Sequence, residues 1–169
     1  LNYENIRKSL EIMLAQDRLS LGRRHITIST CGIIPWIEKL IEDKVDVKLA
    51  ISLHAPNQEL RNQIMPIAKA YPLEELMKTI DRYVKATDNR IFYEYIMIHG
   101  VTDKPELAHQ LVKLLKGRLA HLNLIPYNEN PTIDLKESKK ADIQKFKQIL
   151  EEGGVTVTVR DSMGREAKG

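Results

Sequence analysis

Ser29, Ser52, His54, Glu94 and Asn128 are the residues of this chain whose types and placement could do chemistry. Each falls at or near a predicted strand, and four of them fall at carboxyl ends. Hydroxyls, an imidazole and an amide together suit a small, polar, charged molecule, because they can bond a carboxylate, an ammonium and ribose hydroxyls at once. The densest part of the pattern is the stretch Lys48–Pro66, KLAISLHAPNQELRNQIMP. It opens as a buried strand and then switches to Ser52-Leu53-His54. Pro56 stops the strand, and Asn57 is suited to cap a short helix that carries Arg61. Helix capping and a satisfied turn would also account for Ser52 and His54 taken alone. Glu94 sits inside the apolar run IFYEYIMI (Ile91–Ile98), where an unpaired charge is expensive. It needs a partner, a ligand or water, and a structural ion pair or a site role would each provide one. The order and spacing of Ser, His and Asp establish no triad geometry. His25, His54, His99, His109 and His121 show neither H-x-H nor H-x-x-x-H spacing, so no metal site is expected.

These groups must be positioned by alternating elements. Asn2–Gln16 is amphipathic at helical spacing, with Asn2 as its expected cap. HITIST (His25–Thr30) is a short β-branched strand that turns at Gly32 into a helix begun by Pro35. Helices are expected from Leu73 to about Ala86, from an Asp103–Glu106 capping box to Lys116, and from Ser138 to Gly153. Strands are expected at Val47–Leu53, Ile91–Ile98, Ala120–Pro126 and Val155–Arg160, and Asp161–Gly169 is expected to fray. The connections are too long for hairpins, so the strands should be parallel, with right-handed crossovers. An open doubly wound sheet and an arc of a βα barrel both fit. A full eight-fold barrel usually needs about 250 residues, so a barrel here would be partial. Neither G-x-G-x-x-G nor G-x-x-x-x-G-K-[ST] occurs, which weighs against nucleotide-binding Rossmann and P-loop readings.

Composition sets outer bounds. With 169 residues, 43% hydrophobic and 29% charged, the chain suits one substantial core. No run approaches the roughly 18 apolar residues of a membrane span. The single cysteine, Cys31, excludes an internal disulfide and points to a reducing, cytoplasmic compartment. A formal net charge of +3 is compatible with an RNA partner but too mild to argue for one.

Taken together, ISTCGIIP (Ile28–Pro35), LAISLHAPNQELRNQIMPI (Leu49–Ile67), YPLEEL (Tyr71–Leu76), YEYIMIHGVTD (Tyr93–Asp103), AHQL (Ala108–Leu111), NLIPYN (Asn123–Asn128) and VTVTVRDSMG (Val155–Gly164) occur in an order that resembles one family. It is the C-terminal part of the radical SAM adenine C2-methyltransferases of ribosomal RNA, which also act on some tRNAs. The C8-methylating resistance enzymes are close relatives. The resemblance covers nearly the whole chain. It implies a partial (βα)6 barrel and matches Ser29, Ser52, Leu53, His54 and Asn128 to positions that contact S-adenosylmethionine; it carries no role over for Glu94. It also implies a [4Fe-4S] cluster that cleaves S-adenosylmethionine to a 5′-deoxyadenosyl radical. A second S-adenosylmethionine methylates a cysteine near the C-terminus, and the carbon then passes to the adenine ring. The cofactor carries the hard chemistry and the protein positions it.

The family's C-x-x-x-C-x-x-C motif is absent from this sequence. The resemblance places its Gly-Glu-Pro segment just before Leu1 and its methyl-carrying cysteine just beyond Gly169. The expectation is therefore a single α/β domain from a longer enzyme, inactive alone, with one sheet edge unpaired and a dimer formed across that edge. A non-catalytic α/β module that binds S-adenosylmethionine or RNA is the alternative. An unrelated βα-barrel lyase would need a strand-end lysine or metal ligands, and only Lys48, at a strand start, comes near that requirement.

Overall fold

The computed structural model describes residues 2–160. The expectation of fraying at Asp161–Gly169, and the end of the VTVTVRDSMG segment, lie outside them. Helices α1 (Tyr3–Leu14), α2 (Ile34–Glu42), α3 (Gln58–Ile64), α4 (Leu73–Thr87), α5 (Pro105–Leu115) and α6 (Lys140–Glu152) alternate with strands β1 (Thr27–Thr30), β2 (Lys48–Ser52), β3 (Ile91–Met97), β4 (Ala120–Pro126) and β5 (Val157–Val159). The five strands form one parallel sheet in the order β1-β2-β3-β4-β5.

That sequential order selects the barrel arc. A doubly wound sheet reverses direction and carries helices on both faces. Here Leu49, Ile51, Leu53, Tyr93, Tyr95, Met97, Leu122 and Leu124 are all at most 1% exposed and occupy one face of the sheet. They share a core with Ile37 and Leu40 of α2, Leu76 and Ile80 of α4, Leu111 of α5, and Ile143 and Phe146 of α6. The alternate residues Ser52, Phe92, Glu94, Ile96, His121, Asn123 and Ile125 are only half-buried on the opposite, lumen-side face. The period of two along each strand thus separates a helix-packed side from a half-buried side that no helix of the described residues covers.

Buried hydroxyls fix the helix-side core. Tyr83 donates to Val47 O at 2.7 Å, and Tyr95 donates to Thr102 O at 2.8 Å while its ring stacks on Phe146. Thr102, fully buried, accepts from Ile98 N and donates to Ile96 O, closing the turn after β3.

Several local expectations are corrected. The first strand begins at Thr27, because Arg23–His25 form a short 3-10 turn. Asp103 is not the cap of α5: its Oδ1 accepts from Gly100 N at 2.8 Å, and Lys104 holds the cap position. Ser138 does not begin α6, which starts at Lys140; Ser138 is buried upstream of it. Asn2 does precede α1, but its side chain makes no capping bond.

Candidate functional site

The carboxyl end of β2 is built by three departures from a plain strand. After Ser52 the chain bulges, so that Leu53 N and His54 N both donate to Glu94 O, at 3.0 and 3.1 Å. His54 then takes a left-handed conformation with φ 58°, uncommon for a residue with a Cβ. This swings its ring over β3, where Nδ1 accepts from Ile96 N at 3.2 Å. An imidazole nitrogen that accepts carries no proton, so the neutral ring holds its hydrogen on Nε2. Burial, helped by the charge of Arg61, pushes the His54 pKa down to about 4. At neutral pH His54 is therefore an uncharged N–H donor. Asn57 then caps α3 as the sequence predicts, its Oδ1 accepting from Leu60 N at 2.9 Å.

Arg61 of α3 is fully buried. Its guanidinium donates to three backbone carbonyls: Cys31 at 2.8 Å, Leu53 at 3.3 Å and Tyr71 at 3.5 Å. It thus ties the ends of β1 and β2 to the segment that enters α4. Gly32, at φ 92°, completes this corner. A Cβ there would lie 2.7 Å from Leu76 Cδ2 and 3.3 Å from Arg61 Nη2. Gly32→Ala is therefore expected to destabilise the chain by about 2–4 kcal/mol, from left-handed strain and overpacking together. Thermal unfolding checks this, and an unchanged midpoint would refute it.

Glu94 lies at the middle of the lumen-side face, in register with Ser52 on one side and Asn123 and then Thr158 on the other. Asn123 Nδ2 donates to Glu94 Oε1 at 2.9 Å. Thr158 Oγ donates to Asn123 Oδ1 at 2.6 Å, and His121 Nε2 lies 3.0 Å from the same hydroxyl. The hydroxyl's one hydrogen goes to Asn123, so His121 Nε2–H must be the donor. Partial burial and Arg90 hold the His121 pKa below the usual imidazole value, while Asn123 and Glu94 pull the other way. Glu94 Oε2 is buried and has no hydrogen-bond partner among the described residues; Arg160 Nη1 stands 3.7 Å away.

The predicted residues fall as follows. Ser29 is exposed on the lumen-side face of β1, in register with Ala50. Ser52 and His54 are half-buried at the end of β2, and Asn128 is exposed two residues beyond β4. All four stand at the same edge of one sheet. Ser29 lies on β1 and Asn128 two residues past β4, three strand positions across the sheet. Leu53 differs: its side chain is fully buried in the helix-side core, and its N–H and C=O are held by Glu94 and Arg61. Arg61, Asn123 and Thr158 were not singled out from the sequence. The alternation in NLIP and VTVTV does put Asn123 and Thr158 on the face away from the core, which was the available signal.

Outside this edge, His99, Asp103 and Asp142 bring one ligand-type atom each within 4.8 Å. Asp103 is already committed to Gly100 N and to His99 Nδ1 at 3.3 Å, so the group closes a turn. No helix of the described residues is long and apolar enough to cross a membrane.

Comparison with known proteins adds the following. The model of the radical SAM superfamily matches residues 1–112. A protein of Thermoanaerobacter sp. (strain X514) named probable dual-specificity RNA methyltransferase RlmN is 51% identical over 165 residues, which is 98% of this chain and 48% of that protein. The protein of the same name from Clostridium novyi (strain NT) is 46% identical over 168 residues, 99% of this chain and 49% of its own length. The chain thus spans about half the length of the curated relatives it matches. Among solved structures, a radical SAM methyltransferase from Sphaerobacter thermophilus superposes with a TM-score of 0.93 at 40% identity, covering 98% of this chain and 49% of that one. A domain of pyruvate-formate lyase-activating enzyme from Bacteroides vulgatus ATCC 8482 gives 0.70 at 16% identity, covering 94% and 93%, a likeness of fold alone.

Proposed function

Since this chain belongs to the radical SAM superfamily, we propose that it is the S-adenosylmethionine-contacting half of an RNA methyltransferase acting on C2 of an adenine in 23S ribosomal RNA and in tRNA. The observation that carries the reading is the shared strand-end edge of Ser29, Ser52, His54 and Asn128, in a chain about half identical to proteins named RNA methyltransferases. The donor set suits S-adenosylmethionine. The Ser29 and Ser52 hydroxyls bond in either direction, His54 offers Nε2–H, and Asn128 offers an amide with both a donor and an acceptor end. Leu53, with its backbone engaged on both sides, holds Ser52 and His54 in place. When bound, S-adenosylmethionine supplies the methyl group and the radical chemistry. A single cysteine cannot supply the three thiolates of the family's cluster motif, so the cluster's ligands are not in this sequence and the chain alone binds without reacting.

We take residues 1–169 as one α/β unit working in the cytoplasm. Self-association is assigned to the edge of β1, which pairs only with β2 among the described residues and borders an apolar hollow lined by Tyr3, Ile6, Trp36 and Leu40. A monomer by light scattering would overturn that assignment.

Calorimetric titration of the chain with S-adenosylmethionine tests the site. Ser52→Ala and His54→Asn are each expected to weaken binding by about three- to tenfold, the worth of one neutral hydrogen bond. Unchanged affinity in both would reduce these residues to caps and turns. For the whole protein, anaerobic reconstitution followed by mass spectrometry of the RNA should give 2-methyladenosine. An 8-methyl product would move it to the C8-methylating relatives, and no product would refute the methyltransferase reading.

A further inference from the structure

We propose that Glu94 is a ligand-binding residue: its free carboxylate oxygen accepts a hydrogen from an N–H or O–H group of the molecule held at the strand ends. This deepens the S-adenosylmethionine reading and rests on it. Glu94 is carried by the central strand of the sheet, and its side chain is 14% exposed. A buried carboxylate is tolerated when its oxygens are hydrogen-bonded. Oε1 meets that requirement through Asn123, and Oε2 does not.

The supporting side chains fix where the free oxygen points. His121 donates to Thr158, Thr158 to Asn123 and Asn123 to Glu94, each across a neighbouring strand. Every donor in this relay runs toward the carboxylate, so rotation of Glu94 would break the last bond and strand the amide hydrogen. Arg160 Nη1, 3.7 Å from Oε2 on a side chain 64% exposed, offsets the charge from beyond hydrogen-bond distance and leaves Oε2 without a donor. Ser52 is the registered neighbour of Glu94 on β2 and points to the same face, with the two strands about 5 Å apart. A ligand that reaches the Ser52 hydroxyl therefore lies one strand spacing from Glu94 on the same face.

The chemistry of that oxygen restricts its partner. A carboxylate accepts from a hydroxyl, an exocyclic amine or an ammonium, and it repels a carboxylate or phosphate. S-adenosylmethionine has such donors at both ends: ribose hydroxyls and the adenine amine on one, and the α-ammonium on the other. The phosphate backbone of RNA is excluded from this position.

Titration calorimetry of the chain with S-adenosylmethionine, and separately with adenosine and with methionine, tests the assignment. Glu94→Gln keeps the shape and the bond to Asn123 but replaces the free acceptor with an NH2 donor. It is expected to weaken S-adenosylmethionine about ten- to hundredfold, as for loss of a charge-assisted bond. The loss should reappear with adenosine if the donor is on the nucleoside, and with methionine if it is the ammonium. Thr158→Val, on an exposed position, should cost about threefold by loosening the relay, and it decides the matter if Glu94→Gln fails to fold. Glu94→Gln binding within twofold of the parent, while Ser52→Ala is weakened, would overturn the Glu94 assignment alone. Both variants binding like the parent, or no binding by the parent, would overturn the site itself.

Discussion

Replacing Arg61 with methionine is expected to lower the unfolding free energy by about 3 kcal/mol, seen as a drop in the urea midpoint at unchanged slope. The guanidinium is fully buried and serves the carbonyls of Cys31, Leu53 and Tyr71. Two effects oppose each other. Removing a buried cation relieves its desolvation, and for this reason apolar replacement of a whole buried ion pair can be neutral. Here the partners are main-chain carbonyls that no substitution can remove, and each left unbonded costs about 1–3 kcal/mol. Three orphaned acceptors outweigh the relief. Arg61→Lys should recover only part of the loss, because one ammonium lacks the planar fork that reaches three separate loops. Since two of those carbonyls, of Cys31 and Leu53, lie at the ends of β1 and β2, both variants should also weaken S-adenosylmethionine binding. An unchanged urea midpoint for Arg61→Met would show that these carbonyls find other donors.

The stability of the chain is expected to fall as the pH drops from about 6.5 to about 4, with His54 alone contributing on the order of 3 kcal/mol. The folded ring is held neutral by burial and by Arg61, with its pKa near 4 against 6.5 for an ordinary imidazole. Between those values the unfolded chain binds a proton that the folded chain refuses. Stability therefore rises with pH through this window, is complete above it, and loses its His54 dependence below it. Carboxylates also titrate near the lower end, so the informative quantity is the difference between parent and His54→Asn. Asparagine tolerates the left-handed backbone at φ 58° and does not titrate. Urea unfolding at several pH values between 8 and 4.5 should show a shallower fall for the variant. Parallel curves would mean that His54 accepts a proton as readily folded as unfolded.

Much of the fold was legible because its signals are local. The four-residue apolar spacing of α4 and α5, the β-branched and apolar runs of the strands, the cap at Asn57 and the stop at Pro56 all act within a few positions of the chain. The same locality explains the misreadings. Asp103 and Ser138 look like helix starters by type, yet Asp103 is captured by the Gly100 turn, and Ser138 is buried ahead of a helix that begins two residues later. Glu94 could be flagged as a carboxylate in need of a partner. The partner itself, Asn123, lies 29 positions away and is chosen by the register of β3 against β4.

The sequence by itself determined the alternation of helices and strands, the polar residues at the strand ends, and a family resemblance that the comparisons bear out. Only the tertiary structure decided between an open sheet and a barrel arc, because sheet order depends on which strands pair, and both architectures share the same βα rhythm. It also decided that Leu53 faces the core, that His54 is an Nε2–H donor, that Arg61 braces three loops, and that one oxygen of Glu94 is left unbonded. Each of these depends on hydrogen bonds between residues far apart in the chain or on a left-handed turn. Residue type and spacing record the period of an element, but not what lies across from it.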